Sequence, residues 1–304
     1  MANLPPALRN AQVDGIRCAL RLDSGRPGPH AVVVALLHGN EICGLGAIRA
    51  VLARRASLLC GRLTLLAANP EGFRARRPDQ PQAGRFVEED MNRLWSPDRL
   101  GGGGPDSIEM RRAREIAPLF ADADLVLDLH SMATPGPRLL MFHDTRAARE
   151  ILAALPADAH RIRFGGPLHD GRLLVEQPML LGDPRRAAFV VECGQHRTAA
   201  ASAYAARVTL AALAAIGVLA HTDTPATRRR GLDLKATRML RAGTDAFRFL
   251  DPPVALRVFA RGTPIAEDGS RVIRAPFART ALLLARARPR RGGEAGLLAE
   301  LLTD

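Results

Sequence analysis

Residues 31–41, AVVVALLHGNE, constrain this chain more than any other stretch. An apolar run rich in valine, closed by a glycine turn, reads as a buried strand. Its exit delivers His38 and Glu41, three residues apart, into a loop and the start of a helix. The following CGLGAIRAVLARRASLL carries apolar residues at helical spacing, and LTLLAA at 63–68 reads as the next strand, stopping at Asn69-Pro70. Strand, helix, strand is the mark of an α/β sheet. Two later strands, LVLDLHS at 125–131 and AFVVECGQH at 188–196, also run apolar residues into polar ones.

Between these strands, residues 71–106 form a long polar excursion. A connection of that length in a compact domain suggests the wall of a binding site. It holds its own dense motif, EEDMNR at 88–93, and four glycines at 101–104 that read as a loop tip. No GK[ST] follows them, so they are not a phosphate loop. Helices are expected over Ile108–Phe120, capped by Asp106 or Ser107, over 145–155, and over Thr198–Leu219. LLMFHD at 139–144 reads as a further strand, and the loop carrying GDPRR is expected to border the pocket. From 232 onward, short apolar runs separated by Gly, Pro and Asp predict a small β-rich domain, with a tight DG turn in RGTPIAEDGSRVIRAP. The expected organisation is a hydrolase domain at 1–221, a linker at 222–231 and a β-rich domain at 232–304.

The formal charge is +12, almost all of it from arginine. No zinc finger, RNP motif or aromatic–basic patch accompanies it, so a nucleic-acid partner is not expected. The basic field instead suits a small anionic substrate. No apolar stretch is long enough to span a bilayer, and the first residues lack a signal-peptide pattern, so the cytoplasm is the expected location without membrane association. Cys18, Cys43, Cys60 and Cys193 contain no CxxC pair and read as reduced thiols.

His and Glu three apart can simply hydrogen-bond. His130 strengthens the pattern because it stands at the carboxyl end of another apolar strand, the edge where open α/β sheets bind ligands. His38, Glu41 and His130 together would form a His2Glu zinc set with a coordination position left for water. Asp128, two residues before His130, lies on the same side of its strand and would orient the ring or cap the strand end. Glu192, in an apolar strand, is the candidate general base and acid, with a salt bridge to an arginine as its alternative. Arg93 and Asn92 close EEDMNR and Arg85 precedes it; these residue types recognise carboxylates and polarised carbonyls. Asp90 would stiffen the loop by accepting hydrogen bonds.

HGNE, the NP leading through a basic loop into DMNR, then DLHS and ECGQH resemble, in order, the motifs of the succinylglutamate desuccinylase and aspartoacylase family, relatives of the zinc carboxypeptidases. The resemblance spans roughly residues 31–196 and extends to the β-rich C-terminal stretch. It implies a carboxypeptidase-like mixed central sheet flanked by helices, with a β domain narrowing the entrance. It also implies one Zn2+ on His38, Glu41 and His130, and Glu192 as base and acid. Asn92 and Arg93 become substrate contacts, Arg85 an oxyanion contact, and Asp90 and Asp128 supporting residues. The implied reaction is hydrolysis of a small N-acyl amino acid or related amide. A metallocarboxypeptidase or peptide amidase is the alternative, and a noncatalytic metal-binding protein belongs to a different class. Homo-oligomerisation stays open. Two positions depart from the family pattern: the only tyrosine is Tyr204, in the expected helix of the first domain, and Gly182 stands where the family carries an arginine, with Arg185 and Arg186 nearby.

Overall fold

The computed structural model describes residues 4–55, 58–77, 79–80, 82–166, 168–220, 231–252, 254 and 256–302. We label the strands of the main sheet β1 (Ala19–Asp23), β2 (His30–Ala35), β3 (Arg62–Ala67), β4 (Leu125–Met132), β5 (Leu139–Phe142), β6 (His160–Phe164), β7 (Ala187–Gln195), β8 (Asp233–Arg241), β9 (Leu256–Ala260), β10 (Arg279–Leu283) and β11 (Glu294–Leu301). They form one mixed sheet in the order β9-β10-β11-β8-β6-β5-β7-β4-β2-β3-β1. The four principal helices are α1 (Gly44–Ala53), α2 (Ile108–Ile116), α3 (Arg146–Ala154) and α4 (Ala199–Ala215).

Every residue of β2 is buried, because β3 and β4 pair with it in parallel on either side and packed layers cover both faces. Ala31, Val33 and Ala35 face a core shared with α1 and α4, whereas Val32 and Val34 face a second core containing Met91, Trp95, Met110 and Phe120. Fully burying one such valine is worth about 1.5–3 kcal/mol, so the unbroken apolar run fixes β2 at the centre. The strand ends at Leu36, whose φ of 61° turns the chain out of the sheet. Its carbonyl accepts from Asn69 N–H at 2.9 Å. Gly39 follows as a steric requirement: a Cβ there would lie 2.2 Å from the backbone at Gly72 and Phe73.

The C-terminal residues are β-rich, as expected, and they also extend the main sheet. β8 pairs in parallel with β6, and β11, β10 and β9 continue outward antiparallel. A smaller sheet of Arg248–Phe249, Pro264–Asp268 and Arg271–Arg274 packs with them around Phe247, Ile265, Ile273 and Leu298. Its hairpin turns at Asp268-Gly269, where Gly269 takes φ 61°. Except for Gly231, the expected linker at 222–231 lies outside the described residues.

Ser107 caps α2, accepting from Met110 N–H at 2.9 Å. The helix expected to run to Phe120 gives way after Ile116 to a 3-10 turn, Ala117–Phe120, because Pro118 has no N–H to continue the ladder. The described residues of the polar excursion include the short helices Pro70–Arg74 and Pro97–Leu100 and a 3-10 turn, Met91–Arg93, which give them local structure. Among the described residues, no helix is long and apolar enough to cross a membrane.

Candidate metal centre

Parallel pairing aligns β2, β4 and β7, so their carboxyl ends open on one edge of the sheet. His38 and Glu41 occupy the turn after β2, and His130 lies near the end of β4. All three are buried, and their ligand atoms lie within 4.8 Å of one another. His38 Nδ1 sits 3.0 Å from Glu41 Oε1 and 3.2 Å from His130 Nδ1, while His130 Nδ1 sits 3.0 Å from Glu41 Oε2. Two imidazole nitrogens and a carboxylate thus converge on a common point, the donor set of a catalytic zinc site. The residues fit a metal ion.

The outward ring nitrogens have acidic partners. His38 Nε2 contacts Asp90 Oδ1 at 2.8 Å. His130 Nε2 lies 2.8 Å from Asp128 Oδ2, though off the line of an aligned hydrogen bond. Carboxylates in these positions fix ring orientation and leave the inner nitrogens turned towards one another, where a metal ion could be held. Asp90 also accepts from Asn92 N–H at 2.9 Å and from Arg85 at 3.1 Å, so it stiffens the loop and supports the histidine together. Arg85 spans the centre, donating its other nitrogen to Glu41 Oε1 at 2.9 Å.

The electrostatics follow from this crowding. Burial acts to raise the Glu41 carboxyl, but His38 and His130 overcome it and hold it well below the usual range. Burial likewise opposes the charge on Asp90, and His38 and Arg85 outweigh it, leaving its pKa well below normal. For His130, desolvation favours the neutral ring, yet Asp128 and Glu41 push its pKa well above normal. Glu192 behaves in the opposite sense. It stands beside His130 in the β4–β7 register, and its Oε2 is buried without a hydrogen-bond partner among the described residues. Burial, reinforced by the negative charge of Glu41, pushes its carboxyl up to about 7.

The remaining candidates separate into two groups. Asn92 is buried beside the centre, with Oδ1 accepting from Leu174 N–H at 3.0 Å. Arg93 is nearby, close enough that its charge helps depress Asp90, but it is engaged: NH2 donates to Glu294 Oε1 and Oε2 at 3.0 and 2.8 Å. Arg185 and Arg186 precede the amino end of β7, at the opposite edge of the sheet. From Arg186 to Glu192 the strand climbs about 20 Å, at roughly 3.3 Å per residue. Arg185 pairs with Asp183, and Arg186 donates to the carbonyls of Ala121 and Met179. The expectation that the GDPRR loop borders the pocket is therefore corrected by strand direction. Tyr204 belongs to the α1–α4 core on the other face, packed under Arg138 and Arg207.

Sequence reasoning missed two acidic residues. Glu109 is fully buried in the first turn of α2, where its carboxylate accepts from Val87, Glu88 and Glu89 N–H and from Asn69 Nδ2. It thereby moors the loop that carries Arg85 and Asp90. Its only sequence signal was an acidic residue at a helix start, which ordinarily faces solvent. The second is Glu294, far along the chain, which reaches Arg93 because β11 joins the main sheet.

Residues 27–216 match the family described as succinylglutamate desuccinylase/aspartoacylase catalytic domain, which covers more than half of the chain. No curated protein matches it. Among solved structures, the succinylglutamate desuccinylase of Vibrio parahaemolyticus superposes with a TM-score of 0.70 at 16% identity, covering 94% of this chain and 86% of that one. The succinylglutamate desuccinylase of Chromobacterium violaceum gives 0.67 at 18% identity, covering 94% and 89%. A product-bound ectoine utilization protein of Ruegeria pomeroyi gives 0.59 at 17% identity, covering 90% and 85%. At these identities the structures establish the shared fold. The family match, with HGNE, DMNR, DLHS and ECGQH gathered at one sheet edge, establishes the lineage: the chain belongs to the succinylglutamate desuccinylase/aspartoacylase family of deacylating hydrolases.

Proposed function

We propose that this protein is a zinc-dependent amidohydrolase that splits a small N-acylated amino acid or related N-acylated amine into a carboxylate and a free amine. One observation carries the reading: a buried His2Glu cluster shares its sheet edge with a glutamate whose carboxyl is raised to about 7. When bound, the ion would supply Lewis acidity, acidifying a water and polarising the scissile carbonyl. His38, Glu41 and His130 hold it, and Asp90 and Asp128 keep both rings turned inward.

Glu192 takes the proton from the attacking water as the new C–O bond forms. It returns that proton to the departing nitrogen as the C–N bond breaks. Burial raises the Glu192 carboxyl above the usual carboxylate range, which favours a group that first accepts and then returns the proton. Arg85 supplies positive charge for the oxyanion, and Asn92, held by Leu174, contacts the substrate carbonyl. Residues 232–304 act as the β-rich region that restricts entry to small substrates. Four free cysteines suit a cytoplasmic setting.

The test combines metal analysis with amine release from N-acetyl, N-formyl and N-succinyl amino acids and amines. We expect one zinc per chain and release of free amine, both dependent on His38, Glu41 and His130. Cleavage of C-terminal residues from peptides, with no amine released from any N-acyl compound, would overturn the deacylase reading in favour of a carboxypeptidase.

A further inference from the structure

We propose that Glu294 sets the substrate class: by occupying Arg93, it selects N-acylated amines whose group at this position is uncharged, and rejects those presenting a carboxylate there. The inference rests on the deacylase reading of the neighbouring centre. Arg85 is shared between Glu41 and Asp90. Arg185 and Arg186 stand at the far edge of the sheet. Arg93 therefore remains as the candidate for gripping a substrate carboxylate, and its NH2 is already committed to Glu294.

The engagement is built in from several sides. Arg93 NH2 meets both Glu294 oxygens, and NH1 donates to the Asn92 carbonyl at 2.8 Å. Glu294 Oε1 also accepts from His169 Nδ1 at 2.9 Å, and His169 is itself only 8% exposed at its side chain. The backbone clasps the same arginine. Gly171, with φ 81°, packs so closely that a Cβ would lie 2.1 Å from the Arg93 carbonyl, and Trp95 N–H donates to the Arg172 carbonyl at 3.2 Å. A substrate carboxylate would have to displace a carboxylate anchored by both an arginine and a histidine. It would also meet the negative charge of Glu294 while doing so. A carboxamide or hydroxyl incurs neither cost, and it can accept or donate at the edge of the neutralised pair.

The test uses the full chain loaded with zinc and carrying Glu192→Gln, so that ligands bind without turnover. N-acetyl amino acids and their C-terminal carboxamides are titrated as matched pairs by calorimetry. We expect the carboxamides to bind at least tenfold more tightly, and Glu294→Gln to shift that ratio at least tenfold towards the acids. Equal or tighter binding of the acids with Glu294 intact would overturn the proposal. So would an unchanged ratio in Glu294→Gln, or failure of both ligand sets to bind. The comparison with Glu294 intact needs no substitution in the salt bridge, so it stands even if Glu294→Gln folds poorly. Amine release by the unsubstituted chain is measured in parallel: a binding switch without any hydrolysis would refute the deacylase reading and leave the role of Glu294 intact.

Discussion

Replacing Glu109 by Gln should loosen the wall of the candidate metal centre without touching His38, Glu41 or His130. The Glu109 carboxylate accepts four hydrogen bonds, with Oε1 serving Val87 N–H at 2.7 Å and Asn69 Nδ2 at 3.2 Å. Oε2 serves Glu88 and Glu89 N–H at 3.1 and 3.2 Å. A glutamine offers one acceptor oxygen, so two donors lose their partner and face an amide NH2 in a site with no exposure. Hydrogen bonds to a charged acceptor are worth about 1.5–3 kcal/mol each, which puts the loss of two at roughly 3–6 kcal/mol. Local opening of residues 87–89 to water limits the measured cost to the lower end, about 3 kcal/mol. Urea denaturation should report that loss, and amide hydrogen exchange should accelerate at 87–89 while the β2 and β4 amides stay protected. Weaker zinc binding should accompany it, because Arg85 and Asp90 ride on the same loop. A stability change below about 1 kcal/mol with unaltered exchange at 87–89 would refute the mooring role.

Substituting His130→Ala should abolish stoichiometric zinc, whereas Asp128→Asn should weaken zinc binding about 10–100-fold, both read by equilibrium dialysis. Glu192→Gln should keep its zinc but lose about 10²–10⁴-fold in kcat; full activity in that variant would remove Glu192 from the reaction. In the unsubstituted protein, activity should climb with pH as Glu192 ionises, with the rise at or below about 7 because a bound cation favours the carboxylate. Glu294, whose carboxyl is shifted the opposite way from that of Glu192, makes a stability prediction. Burial acts to raise its pKa, but His169 and Arg93 prevail and lower it from 4.5 to about 2. Its stabilisation is therefore present above the unfolded pKa and is lost as pH falls from about 4.5 to 2. The shift corresponds to about 3 kcal/mol, at 1.36 kcal/mol per pKa unit. Acid denaturation of Glu294→Gln should show a correspondingly shallower pH dependence over that window.

The sequence made the centre of the sheet legible because β2, β4 and β7 are buried on both faces and must be apolar throughout. For the same reason, His38, His130 and Glu192 stood out as polar groups at apolar strand ends. β1 and β6 were not anticipated, since ALRLD and HRIRF interleave arginine with apolar residues and lack a continuous run. Arg93 shows a different limit. Its motif was readable from its neighbours, but its partner Glu294 lies 201 residues away and depends on β8 pairing with β6. The GDPRR loop illustrates a third limit: local composition suggested a pocket, and the direction of β7 placed its arginines at the opposite edge. Charge type is local information, whereas the location of a charge is set by long-range pairing.

The register that aligns β2 with β4 also dictates when the centre can come into being during synthesis. His38 leaves the ribosome 92 residues ahead of His130, and Glu192 follows later still. Until β4 docks beside β2, the first histidine and glutamate are two donors without a third. A metal ion held there could not nucleate this fold as zinc does in a zinc finger, where the ligands are close neighbours along the chain. The slow, non-local pairing of β2 with β4 must come first, so any capture of a metal ion by all three donors follows the docking of these two strands.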